Sequence, residues 1–182
     1  MRRALFLDRD GVINIDFGYV HQSSNFVFTR GIFELVRLAN ASGLLVIVVT
    51  NQAGIARGLY GESEFHHLCD WMRAQFLLAG ASLDAVYFCP HHPEEGVGPL
   101  KLVCDCRKPK PGMFIQAMSD FSIEPSRSIV VGDRASDLLA GYGAGVPNLF
   151  LFQPNIGFES STAPPRDHQY KRPNGPTSNC FC

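Results

Sequence analysis

The stretch "RRALFLDRDGVIN", residues 2–14, decides how the rest of the chain is read. A short apolar run, Ala4 to Leu7, ends in two aspartates two positions apart, Asp8 and Asp10, with Gly11 directly after them. Residues i and i+2 of a strand share a face, so if the apolar run is a buried strand, both carboxyls leave its end close together. Two like charges that near each other are costly unless a proton or a cation sits between them. For the motif taken by itself, a solvated Asp-Gly turn is the alternative.

Outward from this stretch, short apolar runs alternate with longer amphipathic segments. Strands are expected at 3–7, 44–49, 84–88, 128–131 and 148–152, and their near-continuous apolar character suits strands covered on both faces. Apolar residues recur at helical spacing over 31–41 and 62–79, with Gly43 and Gly80 where C-caps belong, and shorter helices fit 112–121 and 135–143. Strand–helix alternation predicts an α/β fold with a parallel central sheet and helices on both faces. Ligands of such folds sit at the carboxyl ends of the strands. "DRDG" follows the first strand, "TNQAG" the second and "GDRASD" the fourth.

The bulk properties narrow the field. At 182 residues the chain is one domain, and 46% hydrophobic against 18% charged residues is the balance of a globular enzyme or binding domain. A net charge of -1 argues against broad electrostatic binding to nucleic acid or to an anionic membrane, so a bound anion needs local cations. The first apolar run is too short for a signal-peptide core, and "LLVIVV" at 44–49 is strand-length and cannot span a bilayer. A cytoplasmic monomer is expected. Six cysteines in such a setting suggest metal binding or free thiols before disulfides.

Four pieces carry chemistry. A carboxylate at a strand end can attack phosphorus to form an aspartyl-phosphate, and a second carboxylate two residues on is placed to protonate the leaving alkoxide and then activate water. Mg²⁺ would hold carboxylate and phosphate together. Thr50 and Asn51 end an apolar strand with a hydroxyl and an amide that can bind phosphate oxygens, and Arg107 and Lys108 offer a fork and a point charge beside a proline. Asp133 stands just beyond a buried strand as a natural Mg²⁺ ligand, and Asp137 could orient a basic neighbour. Each piece alone has an ordinary turn or helix-start explanation.

In this joint order, "DRDG", "TNQ", "RKPKPG" and "GDRASD" resemble the haloacid-dehalogenase-like (HAD) phosphohydrolases over residues 3–152. Within that superfamily "LDRDGVIN", "DFGYVH", "TNQAGIARG", "CPHHP" and "CDCRKPKPGM" are similar to the branch containing the heptose-1,7-bisphosphate 7-phosphatases and the histidinol-phosphate phosphatases. The resemblance implies a Rossmann-like three-layer sandwich without a large cap domain. It implies Asp8 as nucleophile, Asp10 as general acid/base, and Mg²⁺ held by Asp8, Asp133 and the Asp10 carbonyl. The phosphorylated sugar would be bound by Asp16, Gly18, Tyr19, Thr50, Asn51, Gln52, Arg107, Lys108 and Arg134. Position 134 departs from the lysine expected after "GD", and guanidinium and ammonium do not bind alike. "DFGYVH" and the long spacer between His91 and Cys104 favour the sugar bisphosphate over histidinol phosphate.

Residues 89–111 form a long connection without helical periodicity, which in a compact domain is normally functional. Cys89-Pro-His91 and Cys104-Asp-Cys106 form two tight pairs whose three thiolates and one imidazole suit tetrahedral Zn²⁺, although reduced cysteines in a loop would read the same way. The branch has a zinc loop of this pattern (89–108 here), which implies His91 rather than His92 as the nitrogen ligand. Cys106 directly precedes Arg107 and Lys108, so the metal is expected to position the substrate clamp and to take no part in the reaction. From 153 to 182 the chain turns Pro-, Ser- and Asn-rich and is expected to be a disordered or atypical tail, with Cys180 and Cys182 as a bare C-x-C. A non-catalytic phosphosugar-binding or zinc-organised module is the reading from another class, but binding an anion needs no paired carboxylates.

Overall fold

The computed structural model describes residues 1–153 and 157–161. Six strands form one sheet: β1 (Ala4–Leu7), β2 (Leu45–Asn51), β3 (Ala85–Cys89), β4 (Ile129–Gly132), β5 (Asn148–Gln153) and β6 (Gly157–Ser161). They lie in the order β3-β2-β1-β4-β5-β6. The first five run parallel and β6 pairs antiparallel with β5. β6 falls where a tail was expected. The rest of that tail, Cys180 and Cys182 included, lies outside the described residues.

Five helices join the strands: α1 (Ile32–Ala41), α2 (Ala53–Ala56), α3 (Glu62–Leu78), α4 (Gly112–Phe121) and α5 (Ala135–Gly143). Alternation along the strands divides the core. Leu5, Leu7, Val46 and Val48 pack with Val36 of α1 and with Phe65, Met72 and Phe76 of α3. Ala4, Phe6, Leu45, Ile47 and Val49 face the other way, onto Phe114 and Ala117 of α4 and Leu138 of α5. Period-2 side-chain direction thus builds a helix–sheet–helix sandwich from strands that are apolar on both faces. Gly43 and Gly80, both at φ +72°, supply the left-handed residue that ends α1 and α3.

β1 lies at the centre of the sheet, flanked by β2 and β4. Chain direction makes the carboxyl ends of β1, β2 and β4 converge, and a crevice opens where the strand order reverses. Two excursions border it: residues 8–31 after β1, held by isolated bridges Asp10–Asn14 and Asn14–Phe28, and residues 90–111 after β3. Neither forms a domain of its own. Among the described residues no helix is long and apolar enough to cross a membrane.

Candidate active site

A cleft of about 360 Å³ opens at the strand ends, lined by Asp8, Asp10, Thr50, Lys108 and Asp137 at its base and by Asp16, Arg57, Arg107 and Arg134 higher up. That volume suits a small, compact ligand. Lys108 organises the base. Its Nζ lies 2.8 Å from Asp8 Oδ1 and 2.7 Å from Asp137 Oδ1, and it donates to the Val49 carbonyl at 2.8 Å. Its side chain is only 2% exposed. Burial would discharge the lysine, but the two carboxylates outweigh it and hold the pKa above the ordinary value.

Asp8 sits at the end of β1, where its amide donates to the Val131 carbonyl of β4 at 3.0 Å. Burial pushes its pKa up, Lys108 opposes that, and the neighbouring charges of Asp137 and Asp10 add to the rise. Asp133 is likewise pushed up, by burial first and then by Asp137. Three carboxylates gathered this closely need positive charge. Asp8, Asp133 and Asp137 each offer an oxygen, all within 4.8 Å of one another, a hard donor set that suits Mg²⁺. Asp133 Oδ1 is buried and has no hydrogen-bond partner among the described residues, which leaves a lone pair for a cation. The approach depends on Gly11: at φ +92° a side chain is strained, and a Cβ there would lie 2.2 Å from Asp133 Oδ2.

The Asp10 side chain is held by a separate set of donors. It accepts from Arg9 Nη2 at 2.9 and 2.8 Å, from Asn14 Nδ2 at 3.0 Å and from Gln52 Nε2 at 3.2 Å. Thr50 Oγ1 accepts from Gln52 Nε2 at 2.8 Å, so its own proton remains available to the cleft. The sequence places Asn51 and Gln52 among the substrate-binding residues, and their side chains make other contacts in the structure. Asn51 clamps the backbone of Lys108, donating to its carbonyl and accepting from its amide, both at 3.1 Å. Gln52 is buried between Asp10, Thr50 and Tyr60. Adjacent polar residues in a "TNQ" string carry no signal that tells inward support from ligand contact.

At the rim, Arg134 pairs with Asp16 at 2.8 Å, and Asp16 also accepts the Gly18 amide at 2.9 Å. Tyr19 takes φ +52°, and the Arg57 guanidinium lies 5.3 Å from its ring centroid. Arg57 pairs with Glu95 of the 90–111 excursion. Arg107 donates to the His91 carbonyl at 3.1 Å, and among the described residues no carboxylate pairs with it. Arg57, Tyr60, His92 and Ser136 also line the cleft and went unread in the sequence, where nothing distinguishes them from ordinary loop and helix residues.

The base of that excursion holds a second cluster. Sγ atoms of Cys89, Cys104 and Cys106 lie 3.2–3.5 Å apart, and His91 Nδ1 is 3.6 Å from Cys106 Sγ and 3.9 Å from Cys89 Sγ. These separations are too long for disulfides and close to the spacing of donors around one tetrahedral ion. The Cys106 hydrogen bond holds the Cys104 thiol far below its ordinary range, while the bond with Cys104 pushes Cys89 up to about 12. The cluster is consistent with a zinc site. His92 turns elsewhere, with Nε2 3.4 Å from Glu95.

Comparison with known proteins places this geometry. Residues 105–151 match the HAD-hydrolase-like family. Over 149 residues the chain is 55% identical to a D-glycero-alpha-D-manno-heptose-1,7-bisphosphate 7-phosphatase of Burkholderia mallei, spanning 82% of this chain and 79% of that protein. The chain belongs to the heptose-1,7-bisphosphate 7-phosphatase family. A D-glycero-beta-D-manno-heptose-1,7-bisphosphate 7-phosphatase of Vibrio cholerae is 50% identical over 148 residues, 81% of this chain and 80% of that one. The family fold is the same: a D,D-heptose 1,7-bisphosphate phosphatase from B. bronchiseptica, complexed with magnesium and phosphate, superposes with a TM-score of 0.72 at 31% identity, covering 82% of this chain and 79% of that chain.

Proposed function

We propose that this protein is a Mg²⁺-dependent phosphatase that removes the 7-phosphate of D-glycero-D-manno-heptose 1,7-bisphosphate. The observation that carries the reading is the base of the cleft, where Lys108 joins Asp8 to Asp137 while Asp133 faces Asp8. Family membership supplies the substrate class. The reading includes a cytoplasmic setting, which suits three cysteines held as neighbouring free thiols, and a monomeric enzyme acting on a small molecule.

Asp8 acts as nucleophile on phosphorus, forming an aspartyl-phosphate. Lys108 stands against the same carboxylate and is placed to meet the phosphoryl oxygens, with the Thr50 hydroxyl as a further donor. Asp10 protonates the departing sugar oxygen and then takes a proton from the water that hydrolyses the intermediate. Asp8, Asp133 and the Asp10 carbonyl would hold Mg²⁺. When bound, that ion neutralises the carboxylates and phosphate together and polarises the phosphoryl group. Asp137, the third member of that carboxylate group, is taken up by Lys108 and positions it. Of the cations lining the cleft, Arg107 is free of a carboxylate among the described residues and so is available to the phosphate that is kept. Cys89, His91, Cys104 and Cys106 would hold Zn²⁺, which when bound would fix the stem of the loop that carries Arg107 and Lys108.

The test is phosphate release from heptose 1,7-bisphosphate and from histidinol phosphate, with Mg²⁺, by wild type and by Asp8→Asn. Selective turnover of the bisphosphate, abolished in the variant, is expected. Preference for histidinol phosphate would overturn the substrate, and turnover surviving in Asp8→Asn would overturn the nucleophile.

A further inference from the structure

Arg9 stands between the two aspartates of "DRDG" and is completely buried. A guanidinium out of contact with water is costly unless it is paired, and here two of its nitrogens, Nε and Nη1, have no hydrogen-bond partner among the described residues. The guanidinium lies over the Phe65 ring, with its carbon 5.5 Å from the centroid. An apolar side chain would fill this space more cheaply. What the arginine adds is one contact set: Nη2 reaches both oxygens of Asp10 and the Val20 carbonyl, the last at 2.6 Å. Asp10 is the carboxylate that Arg9 pairs with.

Asn14 and Gln52 approach the same carboxyl group from two other sides, and Tyr60 Oη donates to Gln52 Oε1 at 2.5 Å to fix that amide. Donors from three directions select one rotamer of Asp10. A general acid is effective only when its proton is aimed at the leaving oxygen, so holding that rotamer bears on rate more than on binding.

From this geometry we infer that Arg9 is the positioning residue of the general acid, holding the Asp10 carboxyl in its working orientation and acting on the reaction only through it. The inference rests on the reading of Asp10 as acid given above. It separates Arg9 from Lys108: Lys108 serves the phosphoryl group, Arg9 the leaving group.

A leaving group that departs as a stable anion needs little protonation, so kcat/KM for p-nitrophenyl phosphate depends weakly on the acid, whereas a sugar alkoxide depends on it strongly. Since general acid help is typically worth about 10²–10⁴-fold, Arg9→Met should lower kcat/KM for the bisphosphate at least about tenfold more than for p-nitrophenyl phosphate. Arg9→Lys, which keeps the charge and a single nitrogen able to meet both oxygens as Nη2 does, should recover part of that ratio. Asp10→Asn is the reference and should displace the ratio in the same direction. An equal loss on both substrates in Arg9→Met, with Asp10→Asn displaced, would assign Arg9 to structure alone and overturn the inference. An undisplaced ratio in Asp10→Asn would overturn the acid reading and this inference with it. Should Arg9→Met fail to fold, Arg9→Gln carries the test: a displaced ratio supports the assignment and an undisplaced one overturns it.

Discussion

Replacing Lys108 with methionine should damage stability and rate together, and the stability loss should depend on pH. The lysine is buried, with Asp8 Oδ1 at 2.8 Å and Asp137 Oδ1 at 2.7 Å, so its removal leaves two buried carboxyl groups facing each other without their cation. Breaking a buried pair from one side costs about 3–5 kcal/mol. For a domain of this size each kcal/mol is about 2–4 °C of Tm, so a loss near 3 kcal/mol lowers Tm by roughly 6–12 °C. The sign of the pH dependence follows from the carboxylate. Lys108 has a raised pKa and stays charged, folded or unfolded, from pH 7 to 9, so it adds little slope in that window. Asp8 has a raised pKa in the folded protein, so the native state binds the proton more readily than the unfolded chain, and stability falls as pH rises. Without Lys108, the strongest influence keeping Asp8 ionised, the folded pKa rises further, so the fall that levels off near pH 8 in wild type continues to higher pH. Urea unfolding of metal-free wild type and Lys108→Met at pH 7 and pH 9 should therefore show a larger difference at pH 9, with kcat down about 10²–10³-fold, as for loss of one preorganised donor. A difference independent of pH, or larger at pH 7, would refute the placement of Lys108 against the Asp8 carboxyl.

Mg²⁺ affinity, measured by titration calorimetry on the free enzyme, should rise with pH from 6 to 8, because the ion must displace the proton that burial holds on Asp8; a flat profile would contradict its raised pKa. Zinc removal, or Cys106→Ser, should weaken the stem that presents Arg107 and Lys108, raising KM for the bisphosphate and lowering Tm, with both recovered when zinc is returned to the wild type; unchanged KM in verified zinc-free protein would detach the cluster from the substrate clamp.

The parallel sheet was legible because its strands are apolar on both faces and bounded by glycines and polar turns. Ala4–Leu7 and Ile129–Gly132 emerge within a residue of where the sequence places them. The helices were legible for the complementary reason: α3 keeps Phe65, Leu68, Met72 and Phe76 on one face over 17 residues. α2 is one turn long and too short to show a period, and β6 lies in a stretch without alternation. At the site, Asp8, Asp133 and the cysteine–histidine cluster could be read because residue type and position after a strand restrict them to a few uses. Arg9 could not, since "DRDG" looks solvated until the guanidinium is seen under the sheet end with Asp10 on it. The inward turn of Asn51 and Gln52 was equally hidden, because it depends on which side of the crevice Lys108 and Asp10 occupy. Asp137 gave a partial signal as an acid four residues after Asp133, but its pairing with Lys108 is a tertiary contact between β4–α5 and the loop before α4.

The most direct test of the mechanism is to look for the phosphoryl group on Asp8. Asp10→Asn protein, slowed in hydrolysing the intermediate, would be mixed with heptose 1,7-bisphosphate and Mg²⁺, quenched in acid and mapped by peptide mass spectrometry. A single phosphoryl adduct on the peptide containing Asp8, absent when Asp8→Asn is added to the background, is the predicted result. Phosphate release with no adduct on Asp8 at any time point would contradict nucleophilic attack by this residue and point instead to direct attack by water.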